Sequence, residues 1–488
     1  MPTRKAAWAW HPWNQDRIKL GRFRLIRQFV TIPPVHDNVS GKENKETGPI
    51  LRTPLPGPRS RELAGRLARV ESVNVTHLAA DWPVFIQAGA GAFLIDVDGN
   101  RLLDMTGCFA VAAAGHGPTA ATGAGAVQLG QLSAGLGDVH PTEAKVALLE
   151  RLARLAPFAN ARTILGCNGG DAVESALKTA RLTTGKPGVI TFTSGYHGLN
   201  YGALAGTSWP IFREPFADQV PTWSHVATYP NPYRLGVGAT EQAIKSVQAI
   251  LDGPAGRSIG AILVEPIQGR GGEVVPPDDF LPRLRDLADR ADVLLIFDEI
   301  LCGLGRSGRL WACEHVGVAP DLLLVGKALG GGFPISACVG NGRAMAGWPV
   351  SAGEAIHTYT FLGHPVGCAM ACAALDQIVE HDLPARAAHL GPILLDELRK
   401  RLTGRAEVGD IRGRGLMVGI ELVRDRASRQ PAPQLAVATM KGCLARGLLV
   451  LAGGIDGNVL SLTPPLTVTP GQLATASEIL AEALAEVS

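Results

Sequence analysis

Five short apolar runs, separated by segments with helical periodicity, constrain the fold of this chain more than any other feature. They are GVITFTSGYHG (188–198), IGAILVEPI (259–267), DVLLIFDEI (292–300), DLLLVGK (321–327) and PISACVG (334–340). Short apolar strands that alternate with helices are typical of a mostly parallel sheet with helices on both faces. The sequence therefore predicts an α/β fold.

Polar residues end three of these runs. Glu265, Asp298 and Lys327 each follow an apolar stretch directly or within two residues. In open parallel sheets, ligands bind at the carboxyl ends of the strands. We therefore expect the functional site at the edge of the sheet where these three residues lie.

Composition and charge favour a small-molecule partner. The chain has 488 residues, of which 46% are hydrophobic, so it can bury a large core. Its formal net charge of +2 gives no electrostatic case for nucleic-acid binding. No apolar run approaches the roughly 18 residues that a membrane span needs, so we expect no membrane association.

The eight cysteines are scattered and form no CxxC pair. This usage indicates reduced thiols in a cytoplasmic protein. Cys368 and Cys372 lie four residues apart on a predicted helix, which could form half of a metal site, but no second pair accompanies them. We interpret them as core residues and predict no metal site.

Changes in composition and hydrophobic pattern along the chain predict four segments. Residues 1–60 are basic at their start and then rich in proline, glycine and charge, so they form an extension outside the fold or a cleaved targeting segment. Residues 61–120 begin a smaller domain, with a hairpin signal at Asp98-Gly99. Residues 121–382 form the large domain, and residues 383–488 complete the small one.

Lys327 is the strongest candidate for chemistry. It follows a buried strand and precedes three glycines and Pro334. A lysine that acts as a nucleophile must be partly neutral, and burial or a nearby cation lowers its pKa toward that condition. The alternative is an ordinary surface lysine after a strand.

Three further features suggest the group that Lys327 serves. Asp298, at the end of a buried strand, needs a cationic partner such as a protonated pyridine nitrogen, unless it caps a helix. Gly169 and Gly170 open a predicted helix whose free N–H groups can bind a phosphate. Tyr196 can stack on a planar ring or be a core residue. Together with Lys327 these residues predict pyridoxal 5′-phosphate.

The chain resembles the class-III (subgroup II) aminotransferases of pyridoxal-phosphate fold type I. The resemblance covers about residues 75–488 and rests on the motifs DVDGNRLLD, YHG, VEPIQG, FDEILCGLGRSG, VGKALGGGFP, HTYTFLGHP, GDIRGRGLMVGIEL and TPPLTVTP. It implies a large domain around a mostly parallel seven-stranded sheet. It also implies a smaller α/β domain built from the N- and C-terminal segments.

The resemblance also implies roles for individual residues. Lys327 would carry the internal aldimine and Asp298 would bind the pyridine nitrogen, while Tyr196 would stack on the ring. Gly169 and Gly170 would hold the phosphate. Glu265 is a further expected cofactor contact and Phe109 an expected substrate contact. Thr360 would bind the phosphate of the neighbouring subunit's cofactor, which implies an obligate homodimer with shared sites.

Two positions depart from the family pattern and bear on the substrate. Family members that use glutamate as donor usually have an arginine where this chain has Ser461, and a glutamate paired with it where this chain has Arg270. The bidentate clamp for an α-carboxylate is therefore absent. Arg270 either contacts a carboxylate or polar substrate from the opposite wall, or is a solvated arginine at the rim of the pocket. Gly170 and Leu301 also differ from many members.

The chain is also similar to the racemase and epimerase branch of the same family, whose members likewise lack the arginine at position 461. Their second acid/base is an aspartate at position 270, and a guanidinium cannot act as a general base. We therefore predict an aminotransferase that moves an amino group from a primary amine or ω-amino compound to a keto or aldehyde acceptor. A racemase or epimerase is the alternative, followed by an inactive binding protein of this fold.

Overall fold

The five apolar runs form strands of one seven-stranded sheet in the computed structural model, which describes residues 47–117 and 119–487. Helices cover this sheet, and two four-stranded sheets accompany it. The predicted α/β class is confirmed.

The strands of these residues vary from two to seven residues in length. In chain order they are β1 (Ile86–Ala90), β2 (Phe93–Asp96), β3 (Arg101–Asp104), β4 (Arg162–Gly166), β5 (Gly188–Phe192), β6 (Ser224–Ala227), β7 (Ile259–Val264), β8 (Leu294–Asp298), β9 (Leu322–Val325), β10 (Ser336–Gly340), β11 (Val408–Arg414), β12 (Met417–Leu422), β13 (Leu448–Leu449), β14 (Leu451–Gly453) and β15 (Val459–Leu462).

The helices include several of the segments expected from periodicity. In chain order they are α1 (Pro58–Leu67), α2 (Gly107–Ala110), α3 (Ala120–Gln131), α4 (Glu143–Leu155), α5 (Gly169–Thr184), α6 (Tyr201–Gly206), α7 (Pro210–Arg213), α8 (Pro232–Leu235), α9 (Ala239–Asp252), α10 (Phe280–Ala291), α11 (Gly342–Met345), α12 (Pro365–Glu380), α13 (Leu383–Leu402), α14 (Pro433–Ala445) and α15 (Pro470–Val487).

The seven strands of the large sheet lie in the order β4-β10-β9-β8-β7-β5-β6. β10 is antiparallel to both of its neighbours, and the pairs from β9 to β6 are parallel. β7, β8 and β9 are buried at every position, as expected for strands with helices on both faces. The carboxyl ends of these five parallel strands consequently meet at one edge.

The smaller sheets join distant parts of the chain. One has the order β1-β2-β3-β13, in which β3 pairs in parallel with β13 through Leu103 and Leu448. The other has the order β11-β12-β15-β14. The predicted hairpin is confirmed, since β2 and β3 are antiparallel and Gly99 between them has a φ of 83°. N- and C-terminal segments therefore share a sheet.

The predicted N-terminal extension lies mostly in residues 1–46, outside the described residues. Residues near the end of this predicted segment contact the β1-β2-β3-β13 sheet: Ile50 pairs with Arg101, and the backbone N–H of Arg52 donates to Asn100. The described residues belong to one compact unit. The predicted boundaries at 60, 120 and 382 stay a prediction.

Within the described part of the chain, we find no helix long and apolar enough to cross a membrane.

The buried position of β10 gives a test of the sheet core. Val339 lies on β10 between β4 and β9 and is 1% exposed. We expect Val339→Ala to lower the free energy of unfolding by about 2 kcal/mol, because two buried carbon groups are lost and a cavity remains. Urea unfolding measures this, with Val237→Ala at a fully exposed position as the control. Equal effects of the two substitutions would contradict the assignment of β10 to the core.

Candidate active site

A cavity of about 520 Å³ opens at the carboxyl edge of the large sheet. Seven of the predicted site residues line it, and they are Gly169, Gly170, Tyr196, Glu265, Arg270, Asp298 and Lys327. The sequence positions of these residues span more than 150 residues, and the parallel strands bring them together. Phe109, Thr360 and Ser461 do not belong to this lining.

Lys327 lies two residues beyond the end of β9, at the start of a short 3₁₀ turn. Its φ of 44° is unusual for a residue with a side chain. Burial lowers the pKa of its amine, and the nearby Arg270 cation acts in the same direction, whereas the carboxylates of Asp298 and Glu265 oppose them. The net decrease favours the neutral amine that a nucleophilic lysine needs.

Asp298 ends β8 and is hydrogen-bonded to a histidine that the sequence analysis missed. Its Oδ2 lies 2.7 Å from Nδ1 of His197, and its Oδ1 accepts from the N–H of Ile300 at 3.1 Å. Burial lowers the pKa of His197, but the hydrogen bond and charge of Asp298 outweigh it, so the pKa is raised overall. The histidine therefore pairs with Asp298 and orients its carboxyl group at the cavity wall.

Glu265 connects two loops at the cavity. Its Oε1 accepts from the N–H of Tyr196 at 3.0 Å, and its Oε2 accepts from the N–H of Gly269 at 2.9 Å. Burial raises its pKa to about 7, His197 lowers it and Asp298 raises it. Both oxygens hold backbone groups, so the geometry gives Glu265 a positioning function. Its predicted contact with the cofactor stays a prediction.

The start of α5 forms a cradle for an anion. Asn168 and Asp171 make a capping box, and none of the described residues accepts a hydrogen bond from the N–H of Gly169 or Gly170. A Cβ atom at Gly170 would lie 2.9 Å from Cγ of Asn200, so a side chain does not fit without a shift. Free N–H groups at a helix start bind phosphate. The cradle therefore fits the phosphate expected at these residues.

Ser461 is hydrogen-bonded to a buried glutamate. Its hydroxyl donates to Oε1 of Glu273, which is 2% exposed, and Oε2 of Glu273 has no partner among the described residues. Burial raises the pKa of Glu273 to about 8, against the opposing effects of Ser461 and Arg412. Position 461, outside the cavity lining, therefore carries a hydroxyl paired with a buried acid instead of a cation.

Phe109 lies in a turn of left-handed backbone. The φ angles of Cys108, Phe109 and Ala110 are 49°, 60° and 63°. Such a turn costs roughly 1–2 kcal/mol per residue, and it presents the Phe109 ring, which is 63% exposed, to solvent. Val111, two residues later, does line the cavity. The predicted substrate contact of Phe109 stays a prediction.

Thr360 is exposed and follows two residues whose side chains are hydrogen-bonded to other parts of the chain. The hydroxyl of Thr358 donates to Oδ2 of Asp138 at 2.7 Å, and the hydroxyl of Tyr359 donates to the carbonyl of Leu165. Thr360 itself does not line the cavity of its own chain. Its expected contact with a neighbouring subunit stays a prediction.

Two cysteine clusters bear on metal binding. Cys368 and Cys372 both lie on α12, where Cys368 is buried and Cys372 is half-buried. Asp104, Cys108 and His116 offer ligand atoms within 4.8 Å of one another. Asp104 already uses both oxygens there, one at 2.7 Å from Nε2 of His116 and the other toward Thr106. These hydrogen bonds connect Asp104 on β3 with residues on both sides of the left-handed turn at residues 108–110.

Comparison with known proteins agrees with this geometry. The family model described as "Aminotransferase class-III" matches residues 75–484. The chain belongs to the class-III aminotransferase family.

Named relatives span two activities of this family. A 4-aminobutyrate aminotransferase of Mycobacterium leprae is 35% identical over 450 residues, which cover 89% of this chain and 98% of the relative. A leucine/methionine racemase of Thermococcus litoralis is 35% identical over 346 residues, which cover 70% and 76%. An amine transaminase structure from an uncultivated Pseudomonas species, in the pyridoxal-phosphate-bound form, has a TM-score of 0.79 and 32% identity, with 86% and 98% covered.

These findings establish the fold and the cofactor of this class-III aminotransferase. The predicted fold type I and the predicted family are confirmed. Pyridoxal 5′-phosphate is the cofactor. The residues of the cavity fit it, because they provide an amine, a buried carboxylate, an aromatic ring and a side-chain-free helix start.

The raised pKa of Glu273 predicts a pH-dependent stability. The folded protein retains this proton up to about pH 8, whereas the unfolded chain loses it near the ordinary value of 4.5. The free energy of unfolding therefore falls as the pH rises through this window. Glu273→Gln cannot ionise, so we expect its stability relative to the wild type to increase by a few kcal/mol between pH 5 and pH 9.

Urea unfolding at the two pH values measures this difference. Glu478→Gln, at an exposed position on α15, is the matched control and should follow the wild type. Glu265 also has a raised pKa, but it is present in all three proteins, so its contribution to the pH dependence cancels in the comparison. A Glu273→Gln variant with the same pH dependence as the wild type would show that Glu273 is ionised in the folded protein.

Proposed function

We propose that this aminotransferase takes its amino group from a primary amine or an ω-amino compound and passes it to a keto-acid acceptor. The observation that carries the proposal is the pairing of Ser461 with the buried Glu273. A hydroxyl paired with an acid at position 461 cannot form the bidentate clamp that an α-carboxylate needs. The relative named as a 4-aminobutyrate aminotransferase supports a donor whose amine is remote from its carboxylate.

The cofactor supplies the electron sink of the reaction when it is bound. We propose that Lys327 holds it covalently, that Asp298 binds its ring nitrogen, and that the N–H groups of Gly169 and Gly170 bind its phosphate. Tyr196 would contact the ring. The carboxyl group of Asp298, oriented by His197 at 2.7 Å, would be the partner that keeps a pyridine nitrogen protonated.

Lys327 is also proposed as the proton carrier. Burial lowers the pKa of its Nζ, which favours the neutral amine. With the cofactor bound, Nζ would accept a proton from the substrate carbon and return it on the opposite side of the reaction. No other lysine lines the cavity in the described part of the chain.

Removal of the Lys327 amine tests this assignment. We expect Lys327→Ala to lower the rate of the amine half-reaction at least 1,000-fold, because both the covalent link and the proton carrier are lost. Rapid mixing of the holoenzyme with amines, without a keto acid, should convert the absorbance of the pyridoxal form to that of the pyridoxamine form in the wild type only. Lys441→Ala, on α14 and outside the cavity, is the control. Retained turnover in Lys327→Ala would refute the role.

The same absorbance assay tests the donor class. A panel of primary amines, ω-amino acids and α-amino acids should show conversion with the first two groups and little with the third. Conversion by α-amino acids alone would contradict the proposal.

A racemase is the second candidate, favoured by the 35% identity to the leucine/methionine racemase and by Ser461 at the carboxylate position. Inversion would require a second proton carrier at the cavity. Arg270 lines it, and a guanidinium stays protonated. Exchange of the substrate's α-hydrogen with deuterium, while the cofactor stays in the pyridoxal form, would favour the racemase.

We further propose a homodimer in which two chains complete each other's sites. Residues 119–137 contain no charged side chain, although much of this stretch is exposed. Its exposed apolar residues are Val127, Leu129, Leu132 and Leu136, and the exposed Val139 follows the stretch by two residues. Such a patch on one chain is typical of an interface. It also adjoins the Thr360 segment, because Asp138 accepts the hydroxyl of Thr358.

Charge in this apolar stretch should prevent dimerisation. We expect Leu136→Glu to be monomeric in sedimentation equilibrium at micromolar concentration, because a carboxylate would be buried without a partner. Val237→Glu, at an exposed position elsewhere, should remain dimeric. A monomeric wild type that still transaminates would contradict the shared site.

A cytoplasmic location is proposed as well. All eight cysteines of the chain are free thiols. Unpaired cysteines in this number are typical of a reducing compartment.

A further inference from the structure

Arg270 has an unusual setting at the cavity wall. Its guanidinium carbon lies 4.5 Å from the ring centroid of Tyr196, 5.3 Å from that of Phe212 and 5.4 Å from that of Trp209. Aromatic faces attract a cation within this range. The three rings therefore hold the guanidinium in place without neutralising its charge.

Arg270 has no ion-pair partner among the described residues. Arg412, in contrast, forms ion pairs with Asp410 and Glu421. None of the carboxylates in residues 47–117 and 119–487 lies within 4.0 Å of the Arg270 nitrogens. Stacking on rings uses the face of a guanidinium and leaves its N–H edge free to bind a carboxylate in two places.

Four apolar side chains line the cavity that Arg270 shares with Lys327. Val111, Leu199, Leu301 and Phe333 line the same 520 Å³ space as Arg270 and Lys327. A ligand that fits both ends needs an amine for Lys327, an anion for Arg270 and an apolar chain between them. An α-amino acid carries its carboxylate one carbon from the amine and lacks that chain.

We propose that Arg270 binds the substrate's carboxylate and that the preferred donor is an amino acid whose amine and carboxylate are separated by an apolar chain. This proposal rests on the proposed function and narrows its donor class. Arg270 is the specificity-determining residue, and Phe212 and Trp209 are positioning residues that hold its guanidinium.

The test compares two donors of equal chain length on the holoenzyme. 5-Aminopentanoate has the terminal carboxylate and pentylamine lacks it. We expect Arg270→Gln to raise KM for 5-aminopentanoate about 10- to 100-fold, the effect of losing a hydrogen-bonded charge pair. kcat for 5-aminopentanoate and both constants for pentylamine should change little.

Three further variants separate charge from structure. Arg270→Lys keeps the charge and should recover part of the lost affinity. Phe212→Leu should raise KM for 5-aminopentanoate several-fold and leave pentylamine unchanged. Arg181→Gln, on α5 and outside the cavity, is the matched control and should behave as the wild type.

Binding of pentanoate, measured by calorimetry on the holoenzyme, gives a readout that needs no turnover. The wild type should bind it and Arg270→Gln should lose this binding. Unchanged pentanoate affinity together with unchanged KM in Arg270→Gln would show that Arg270 is only a solvated residue at the rim. If neither donor reacts with the wild type, the proposed donor class is wrong, and pentanoate binding still decides the role of Arg270.

Discussion

The site depends on a charged pair buried at the end of β8. Asp298 is 4% exposed, and an ionised carboxylate at such a position is costly unless another group compensates it. His197 provides that compensation at 2.7 Å, with a pKa that the carboxylate raises. The pair allows a strand end to carry negative charge into the cavity, where a protonated ring nitrogen can share it.

The parallel sheet determines what this charge can act on. β7, β8 and β9 are neighbours, so Glu265, Asp298 and Lys327 follow strands that end at the same edge. The reversal of β10 closes the sheet toward β4, and β4 leads directly into the helix start at Gly169. The amine of Lys327, the carboxylate of Asp298 and the anion cradle at Gly169 consequently lie at the ends of three different strands, β9, β8 and β4. Their mutual arrangement is fixed by strand order.

Much of this architecture is predictable from the sequence, because it follows from local patterns. The apolar runs that end at Asp298 and near Lys327 form adjacent strands, and the glycines at 169 and 170 begin α5 as expected. The partner of Asp298 was missed, although His197 follows Tyr196 directly in SGYHG. A histidine gains its role only from the folding of a distant strand beside it, and no local pattern encodes that contact.

The contact of Glu273 with Ser461 is a second example of an interaction that no local sequence pattern predicts. The sequence comparison focused on Arg270 and Ser461, the two positions at which relatives place a glutamate and an arginine. In the folded chain Ser461 instead bonds to Glu273, three residues after Arg270, and this leaves the Arg270 guanidinium on its three aromatic rings. Position 461 therefore offers no cation to a carboxylate, and the Arg270 guanidinium on its aromatic rings is the group proposed to bind the anionic end of the substrate.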